Sequence, residues 1–278
     1  LSYGIGCCYV YKLAELKFGR RTAMDSVLFL SFFPFSFFFG TVMTEGLFLL
    51  TTAGAIYYAL RHKWLLFGIF GALSAMNRMV GVLVIVPAAV EMLSALRPLE
   101  SIQALKRGAV ELLKRILLLL MPLLGTGTYL ALNYHVDGDP FAFLVHQEHW
   151  HQGGMWVSKV LIYIFQYLKG NIFEPTGWAV WAAELLLFLI FFIVLLLAMR
   201  DRQCPPSLLA YAFCYLIANY SLSWLLSAGR YLSCGFPLFI FLAKLTERRP
   251  NVRWFILGTQ AVFLGIYLFA YVNRAQVM

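Results

Sequence analysis

Charged residues are scarce in this chain. Only 13% of the residues are Asp, Glu, Lys or Arg, whereas 62% are hydrophobic and the mean hydropathy is +0.77. Soluble domains are usually about a quarter charged and about half apolar. The composition therefore excludes a soluble globular domain and predicts an integral membrane protein. The apolar segments are long runs without strand-like alternation, which excludes an outer-membrane barrel and predicts an all-α bundle.

The familiar motifs of soluble enzymes are also absent. The sequence contains no GxSxG, no phosphate-binding glycine loop and no HExxH. Its five cysteines form no CxxC pair and lie mostly in apolar helix, so we interpret them as small core residues. We therefore expect no cofactor, and we do not expect a divalent metal.

Long polar segments are missing as well, which leaves no room for a separate soluble domain. We predict one transmembrane domain over residues 1–278, with roughly nine to ten membrane segments. Residues 136–175 form the only long polar stretch, and we interpret them as an outer-face loop with short interfacial helices. The first residue is Leu1 and no signal-peptide pattern follows, so we expect an N-terminal part of the parent protein to precede it. The predicted apolar segments are 1–11, 26–40, 45–60, 64–76, 80–92, 116–132, 177–199, 208–226, 231–245 and 254–271, with an interfacial helix at 12–21 and an amphipathic one at 94–115.

The formal net charge of +9 is spread over short loops, which argues against nucleic-acid binding. Alternate loops collect 17 of the 22 Lys and Arg residues on one side, and the positive-inside rule makes that side cytoplasmic. The opposite side receives Glu45, Arg78, Asp137, Asp139, four of the five histidines, Glu174 and Arg230. We therefore predict a polar site at the non-cytoplasmic mouth of the bundle. The 17 basic residues are Lys12, Lys17, Arg20, Arg21, Arg61, Lys63, Arg97, Lys106, Arg107, Lys114, Arg115, Arg200, Arg202, Lys244, Arg248, Arg249 and Arg253.

Three ionisable residues interrupt apolar sequence near that mouth. Glu45 follows the polar joint at 40–44, where Thr44 could cap a helix whose dipole Glu45 would complement. Arg78 and Arg230 carry planar donor forks suited to a phosphate group. The alternative for each arginine is snorkelling to the interface or pairing with a carboxylate such as Glu45.

The stretch from Gly138 to His151 reads as a short helix at the outer surface. Asp139 is a suitable N-cap, with Pro140 at the first helical position. His146 and His149 share one helical face, but no motif elsewhere completes a metal site. The alternatives are the lining of a substrate groove and interfacial anchoring by Trp150 and Trp156.

Four stretches resemble the bacterial branch of the PIG-V-like mannosyltransferases, which have the GT-C fold. They are FPFSFFFGTVMTEGLFLL, RHKWLLFGIFGALSAMNRMVGVLVIVPAAVE, GDPFAFLVHQEHW and GRYLSCGFPLFIFLA. The resemblance implies inverting transfer of mannose from a polyprenyl- or dolichyl-phosphate donor to an acceptor hydroxyl on the outer face. It implies a bacterial plasma membrane, with the endoplasmic reticulum as the alternative. We assign Arg230, Arg78 and Tyr231 to the donor phosphate, and to the substrate groove Thr44, Glu45, Asn77, Asp139, His146, Gln147 and Trp150.

The catalytic base is not identified. The family resemblance places it in the first outer loop, and this sequence begins after the point where that loop should be. Asp25 lies on the predicted cytoplasmic side, and Glu45 matches a later motif but remains a candidate. We therefore expect the base to be missing and this chain alone to be inactive. A lipid-sugar flippase, for which we find no internal repeat, and a non-catalytic membrane subunit remain as alternative functions. The sugar, the acceptor and the oligomeric state stay open.

Overall fold

The protein is an all-α membrane protein, as its composition predicts. The computed structural model describes residues 1–95, 102–149, 151, 153–223, 225 and 227–275. Within these ranges there are thirteen α-helices and no named strands. Two 3₁₀ segments (Ser36–Gly40 and Met79–Val84) and one π-helical turn (Gly177–Ala182) interrupt the α-helical pattern. The α-helices are α1 (Ser2–Phe18), α2 (Arg20–Ser31), α3 (Glu45–Leu60), α4 (Trp64–Asn77), α5 (Ile85–Ala95), α6 (Ile102–Asp137), α7 (Ala142–Glu148), α8 (Val157–Gly170), α9 (Ala183–Arg200), α10 (Pro206–Asn219), α11 (Ala228–Ser233), α12 (Phe236–Thr246) and α13 (Pro250–Val272).

Three helical stretches of the described chain are long and apolar enough to cross a membrane. They are Arg115–Asp137, Gly177–Arg200 and Pro250–Val272. The other apolar helices of 10–17 residues are shorter than the roughly 20 residues of an ordinary span. The number of membrane crossings, roughly nine to ten by sequence, therefore stays a prediction.

Several predicted segment boundaries are wrong. The separate interfacial helix at 12–21 is absent, because α1 runs without interruption from Ser2 to Phe18. The division near residue 116 is also absent, because α6 is one helix of 36 residues with Pro122 inside it. Conversely, the predicted span at 231–245 is broken between α11 and α12, where Gly235 precedes Pro237.

The predicted span at 26–40 is likewise broken. Helix α2 ends at Ser31, three residues before Pro34, whose ring nitrogen has no hydrogen to donate. The Ser36 hydroxyl donates to the Ser31 carbonyl at 2.7 Å, so this broken end keeps a hydrogen-bond partner inside the protein. Buried backbone groups in a membrane protein need such partners. The 3₁₀ segment that follows leads the chain to the start of α3.

The contacts of α1 distinguish the two ends of the bundle. Gly46, at the start of α3, lies against Tyr3 near the start of α1. At the other end of α1, the Lys244 ammonium lies over the Phe18 ring at 5.5 Å. Since α1 has 17 residues, these ends are about 25 Å apart. The end near Phe18 also contains the Arg253–Asp25 pair, with a nitrogen–oxygen distance of 3.3 Å.

A salt bridge between the last turn of α12 and the residue that follows the helix lies at the same end. The Lys244 ammonium donates to Glu247 at 2.8 Å. This hydrogen bond lowers the pKa of Glu247 from its ordinary value. Lys244, Arg253 and Phe18 belong to segments whose ends the sequence assigns to the cytoplasmic side, so their meeting at one end agrees with that assignment.

Helices α4 and α6 pack closely because small residues separate them. A Cβ added at Gly125 would lie 1.9 Å from the Ala72 carbonyl oxygen, and one at Gly71 would lie 2.7 Å from the Pro122 ring. Small residues at such contacts let helix backbones approach one another in membrane proteins. This packing fixes α4, whose C-terminal end carries Asn77 and leads directly to Arg78.

Replacing Gly125 with alanine is expected to destabilise the protein, because the new methyl group would displace the backbone of α4. We expect a loss of about 1–3 kcal/mol, the usual cost of overpacking. Gly127→Ala is the matched control, since no described atom lies within 4 Å of a Cβ built there. Thermal unfolding in detergent should show a lower Tm for Gly125→Ala only. Equal Tm values for the two variants would contradict the close contact.

Candidate functional site

Glu45 is the centre of a buried ionic cluster. It is the first residue of α3 and its side chain is fully enclosed. Its Oε1 atom accepts a hydrogen bond from Arg78 Nη2 at 2.7 Å and another from Arg230 Nε at 2.5 Å. The cluster therefore joins three segments that are distant in sequence. Charge-assisted bonds of this kind are stronger than neutral ones.

The side chains of both arginines are partly exposed at the surface, whereas the Glu45 carboxylate is fully enclosed. The Arg78 side chain is 18% exposed and the Arg230 side chain 22% exposed. The second oxygen of Glu45 is buried and has no hydrogen-bond partner among the described residues. Two guanidinium groups and one carboxylate leave the cluster with an excess of one positive charge. The exposed edges of the guanidinium groups present that excess to an incoming ligand.

Aromatic rings surround the two guanidinium groups. The Arg78 guanidinium lies 5.6 Å from the Phe48 ring and 5.4 Å from the Tyr231 ring. The Arg230 guanidinium lies 5.6 Å from the Phe38 ring and 5.9 Å from the Tyr231 ring. Tyr231 therefore contacts both arginines. Cation–π attraction at such distances stabilises a charge that has lost part of its hydration.

Thr44 and Glu45 do not form the predicted cap of α3. Thr44 occupies the N-cap position, but its hydroxyl makes no capping hydrogen bond. The Glu45 side chain turns to the two arginines instead, because a buried carboxylate is stabilised by charged hydrogen-bond donors. The Thr44 backbone still has a role, since its carbonyl accepts a bond from Asn77 Nδ2 at 3.3 Å. This bond links the start of α3 to the end of α4.

A break in the helix presents Arg78. Helix α4 ends at Asn77, and Arg78 has an extended backbone with φ −148° and ψ 138°. The chain then doubles back so tightly that a Cβ at Gly81 would lie 2.3 Å from the Ser74 carbonyl oxygen. Only glycine fits such an approach. The two short apolar pieces predicted around Arg78 are thus halves of one interrupted element.

A cavity of about 560 Å³, with a mainly apolar lining and several polar side chains, opens beside the cluster. Six residues assigned to the site from sequence line it: Thr44, Asn77, Arg78, His146, Gln147 and Tyr231. Glu45 lies behind Arg78, and Arg230 reaches the cluster from α11. The lining is completed by Met79, Val80, Tyr129, Asn133, Phe143, Tyr215, Ala218, Asn219 and Leu222. Neither the phosphate-binding role nor the groove role of any of these side chains is tested by this placement.

Asp139 lies apart from the cavity lining. It is exposed, and its Oδ1 atom accepts a bond from the Phe141 backbone N–H at 2.8 Å. The predicted N-cap role of Asp139 is wrong, because α7 begins at Ala142 and Phe141 takes the N-cap position. The short Asx turn stops the helix from extending back to Pro140. Trp150 lies outside the described residues, and Trp156 is exposed at the start of α8.

His146 of α7 and His149, which follows that helix, do not assemble a metal centre among the described residues, where no three His, Cys, Asp or Glu side chains come together. His146 Nε2 lies 3.8 Å from an Asp137 oxygen, and both side chains are largely exposed. His149 Nδ1 lies 3.0 Å from the Val145 carbonyl oxygen. The sequence-based expectation about metals stays a prediction.

Sequence reasoning missed several polar residues of the cavity wall. Tyr129 and Asn133 lie one turn apart on α6, and Asn219 ends α10. Each is a polar side chain inside or beside an apolar run, which in a membrane helix is itself a functional signal. Glu184 carries the same signal, as the one carboxylate within the apolar stretch Gly177–Arg200.

Comparison with known proteins bears on the first part of the chain. A family model described as dolichyl-phosphate-mannose-protein mannosyltransferase matches residues 1–128, which include Glu45, Asn77 and Arg78. His146, Gln147, Arg230 and Tyr231 lie beyond the matched range. No curated protein and no solved structure matches the chain. The similarity to the PIG-V-like branch is not confirmed by these comparisons. Residues 1–128 thus resemble membrane glycosyltransferases of the mannosyltransferase type.

Proposed function

We propose that the protein is a membrane mannosyltransferase that uses a polyprenyl-phosphate-linked sugar as donor. It transfers the sugar, with inversion, to an acceptor hydroxyl on the non-cytoplasmic face of a bacterial plasma membrane. The observation that carries this proposal is the cluster of Arg78 and Arg230 around one buried carboxylate, beside a cavity that several polar side chains line. The match of residues 1–128 supports the reaction class.

The charge of the cluster suits a lipid-phosphate sugar. The phosphodiester of such a donor carries one negative charge, which equals the single excess positive charge of the two arginines and Glu45. Each guanidinium has five N–H donors, and Glu45 occupies one of them on each arginine in the structure. The remaining donors are available to phosphate oxygens. Arginine is well suited to this task because its planar fork matches phosphate geometry.

The cavity beside the cluster suits the sugar. Amide and imidazole groups of Asn77, Asn133, His146 and Gln147 offer hydrogen-bond donors and acceptors to hydroxyl groups. The ring of Phe143 lies in the same wall and offers an apolar surface. Ligand sites commonly combine a mainly apolar wall with a few polar groups that fix orientation. A hexose attached to a phosphate at Arg78 would project into this space.

The proposed reaction is a direct displacement at the sugar. The acceptor oxygen forms a bond to the anomeric carbon while the bond from that carbon to the phosphate oxygen breaks. The acceptor proton passes to a base, and the bonding electrons leave with the lipid phosphate. The arginines stabilise the charge that grows on this leaving group. Glu45 is enclosed and bonded to both arginines, so we assign it to holding them in place and not to the role of base.

The donor class is tested by transfer assays with the full-length protein, including any segment that precedes Leu1, in membranes. We expect labelled mannose to reach an endogenous acceptor from polyprenyl-phosphate mannose and not from nucleotide-linked mannose when lipid-donor synthesis is blocked. Transfer from the nucleotide donor under that block would contradict the proposal. If folded protein gave no transfer but moved a labelled lipid-linked sugar across proteoliposomes, the flippase alternative would replace it.

A further inference from the structure

Arg230 depends on a helix too short to be stable by itself. Helix α11 has six residues, from Ala228 to Ser233. Isolated helices shorter than about 12 residues are marginal in water because nucleation is unfavourable. Contacts from neighbouring elements must therefore fix the position of Arg230. One of those contacts comes from Glu184, a residue that does not line the cavity or join the ionic cluster.

Glu184 of α9 makes the contact at the beginning of α11. Its side chain is buried, and Oε1 accepts a hydrogen bond from the Ala228 backbone N–H at 2.9 Å. The Glu184 backbone carbonyl accepts a second bond, from the Tyr220 hydroxyl at 2.7 Å. Tyr220 directly follows α10, so Glu184 holds both ends of the connection between α10 and α11. The other carboxylate oxygen is buried without a partner among the described residues.

Two further contacts fix the rest of α11. The Tyr215 hydroxyl donates to the Tyr231 carbonyl at 2.8 Å. A Cβ at Gly229 would lie 2.5 Å from the Phe35 ring, so the helix backbone sits directly against that ring. These two contacts limit sideways movement of α11. Glu184 supplies the side-chain hydrogen bond to its first backbone N–H, two residues before Arg230.

We propose that Glu184 is a positioning residue for Arg230, a role whose catalytic consequence rests on the proposed function. Burying a carboxyl group inside an apolar membrane helix costs free energy, and the cost is higher when only one of its two oxygens has a hydrogen-bond partner. General stability therefore does not explain Glu184. Its Oε1 atom does, however, accept the Ala228 backbone N–H, a bond that no apolar side chain at this position could accept. The bond to Ala228 keeps the start of α11 from fraying, so Arg230 stays aligned with Glu45 and Tyr231.

Hydrogen exchange tests the contact independently of any activity. Glu184→Met keeps the side-chain volume but removes the acceptor, whereas Glu184→Gln keeps an acceptor oxygen. We expect exchange at the Ala228 amide to be about 10-fold faster or more in Glu184→Met than in the native protein, and nearly unchanged in Glu184→Gln. If Glu184→Met does not fold, Glu184→Asp tests the same bond with an acceptor that falls one methylene short. Native-like exchange at the Ala228 amide in Glu184→Met, or in Glu184→Asp if Glu184→Met does not fold, would overturn the proposal.

Transfer kinetics test the consequence. We expect Glu184→Met to lower kcat/KM by about 10-fold or more, and to have no further effect when Arg230 is already alanine, because the two residues would act through one contact. Glu184→Gln should restore most of the rate. Additive losses in the double variant would overturn the positioning role. Faster exchange at Ala228 together with no transfer by the native protein would instead refute the proposed function and leave the structural contact established.

Discussion

Replacing Arg230 with alanine is expected to reduce mannose transfer by about 100- to 1000-fold, the usual effect of removing one donor that stabilises a developing anion. Arg230 lies at the carboxylate of Glu45 and against the Tyr231 ring, and its side chain is 22% exposed, so its free N–H groups can reach a phosphate there. The measurement is single-turnover transfer from labelled polyprenyl-phosphate mannose. Arg78→Ala should show a loss of similar size because Arg78 lines the cavity.

Two controls separate this chemistry from general charge effects. Arg230→Lys keeps the charge but loses the planar fork, so partial activity is expected. Arg20→Ala removes an arginine whose side chain is 88% exposed and paired with Glu15, at the start of α2, and should leave transfer unchanged. Full activity in Arg230→Ala would refute the assignment of this arginine to the donor phosphate.

Replacing Glu45 with methionine is expected to cost about 3–5 kcal/mol of stability, the range for removing one partner of a buried ion pair. Two partly buried guanidinium groups would then face each other without their shared anion. The measurement is thermal unfolding in detergent, followed by transfer assays on any protein that remains folded. A Tm equal to that of the native protein would contradict the cluster.

A triple variant distinguishes stability from chemistry. The variant that combines Glu45→Met, Arg78→Met and Arg230→Met removes all three charges and keeps side chains of similar volume. Replacing a buried ion cluster by apolar side chains in this way is often neutral or stabilising. We expect the triple variant to recover most of the lost stability and to have no measurable transfer. Recovery of transfer together with stability would show that the cluster serves folding alone.

The composition was sufficient to predict the all-α membrane class, and the interrupted apolar sequence around Asn77-Arg78 predicted the break that presents Arg78. Pairing with a carboxylate such as Glu45 was, beside snorkelling, an alternative to phosphate binding that the sequence left open, and the structure shows that pairing for both Arg78 and Arg230. Residues 33 and 185 positions apart can be brought together only by tertiary packing. Local sequence carries no information on which carboxylate an arginine will meet.

Helix interruptions explain most of the wrong boundaries. Hydropathy does not separate the end of α11 from α12, because Tyr231 and Leu232 lead into the apolar residues of Phe236–Thr246 without a charged residue between them. Nor does it show that α6 continues from the basic segment into the apolar one, since a helix can change environment without changing its backbone. The role of Asp139 was misjudged for a different reason. An Asx turn and an N-cap use the same residue types, and their hydrogen bonds differ by only one or two positions.

Binding of the phosphate of a lipid-linked sugar by Arg78 and Arg230 is tested most directly by photo-crosslinking. The full-length protein in membranes is exposed to a polyprenyl phosphonate analogue that carries its reactive group next to phosphorus. Mass spectrometry then identifies the labelled peptides. We predict labelling of the peptides that contain Arg78 and Arg230, and its loss when unlabelled donor competes. Labelling confined to other helices, with none on these two peptides, would contradict the account.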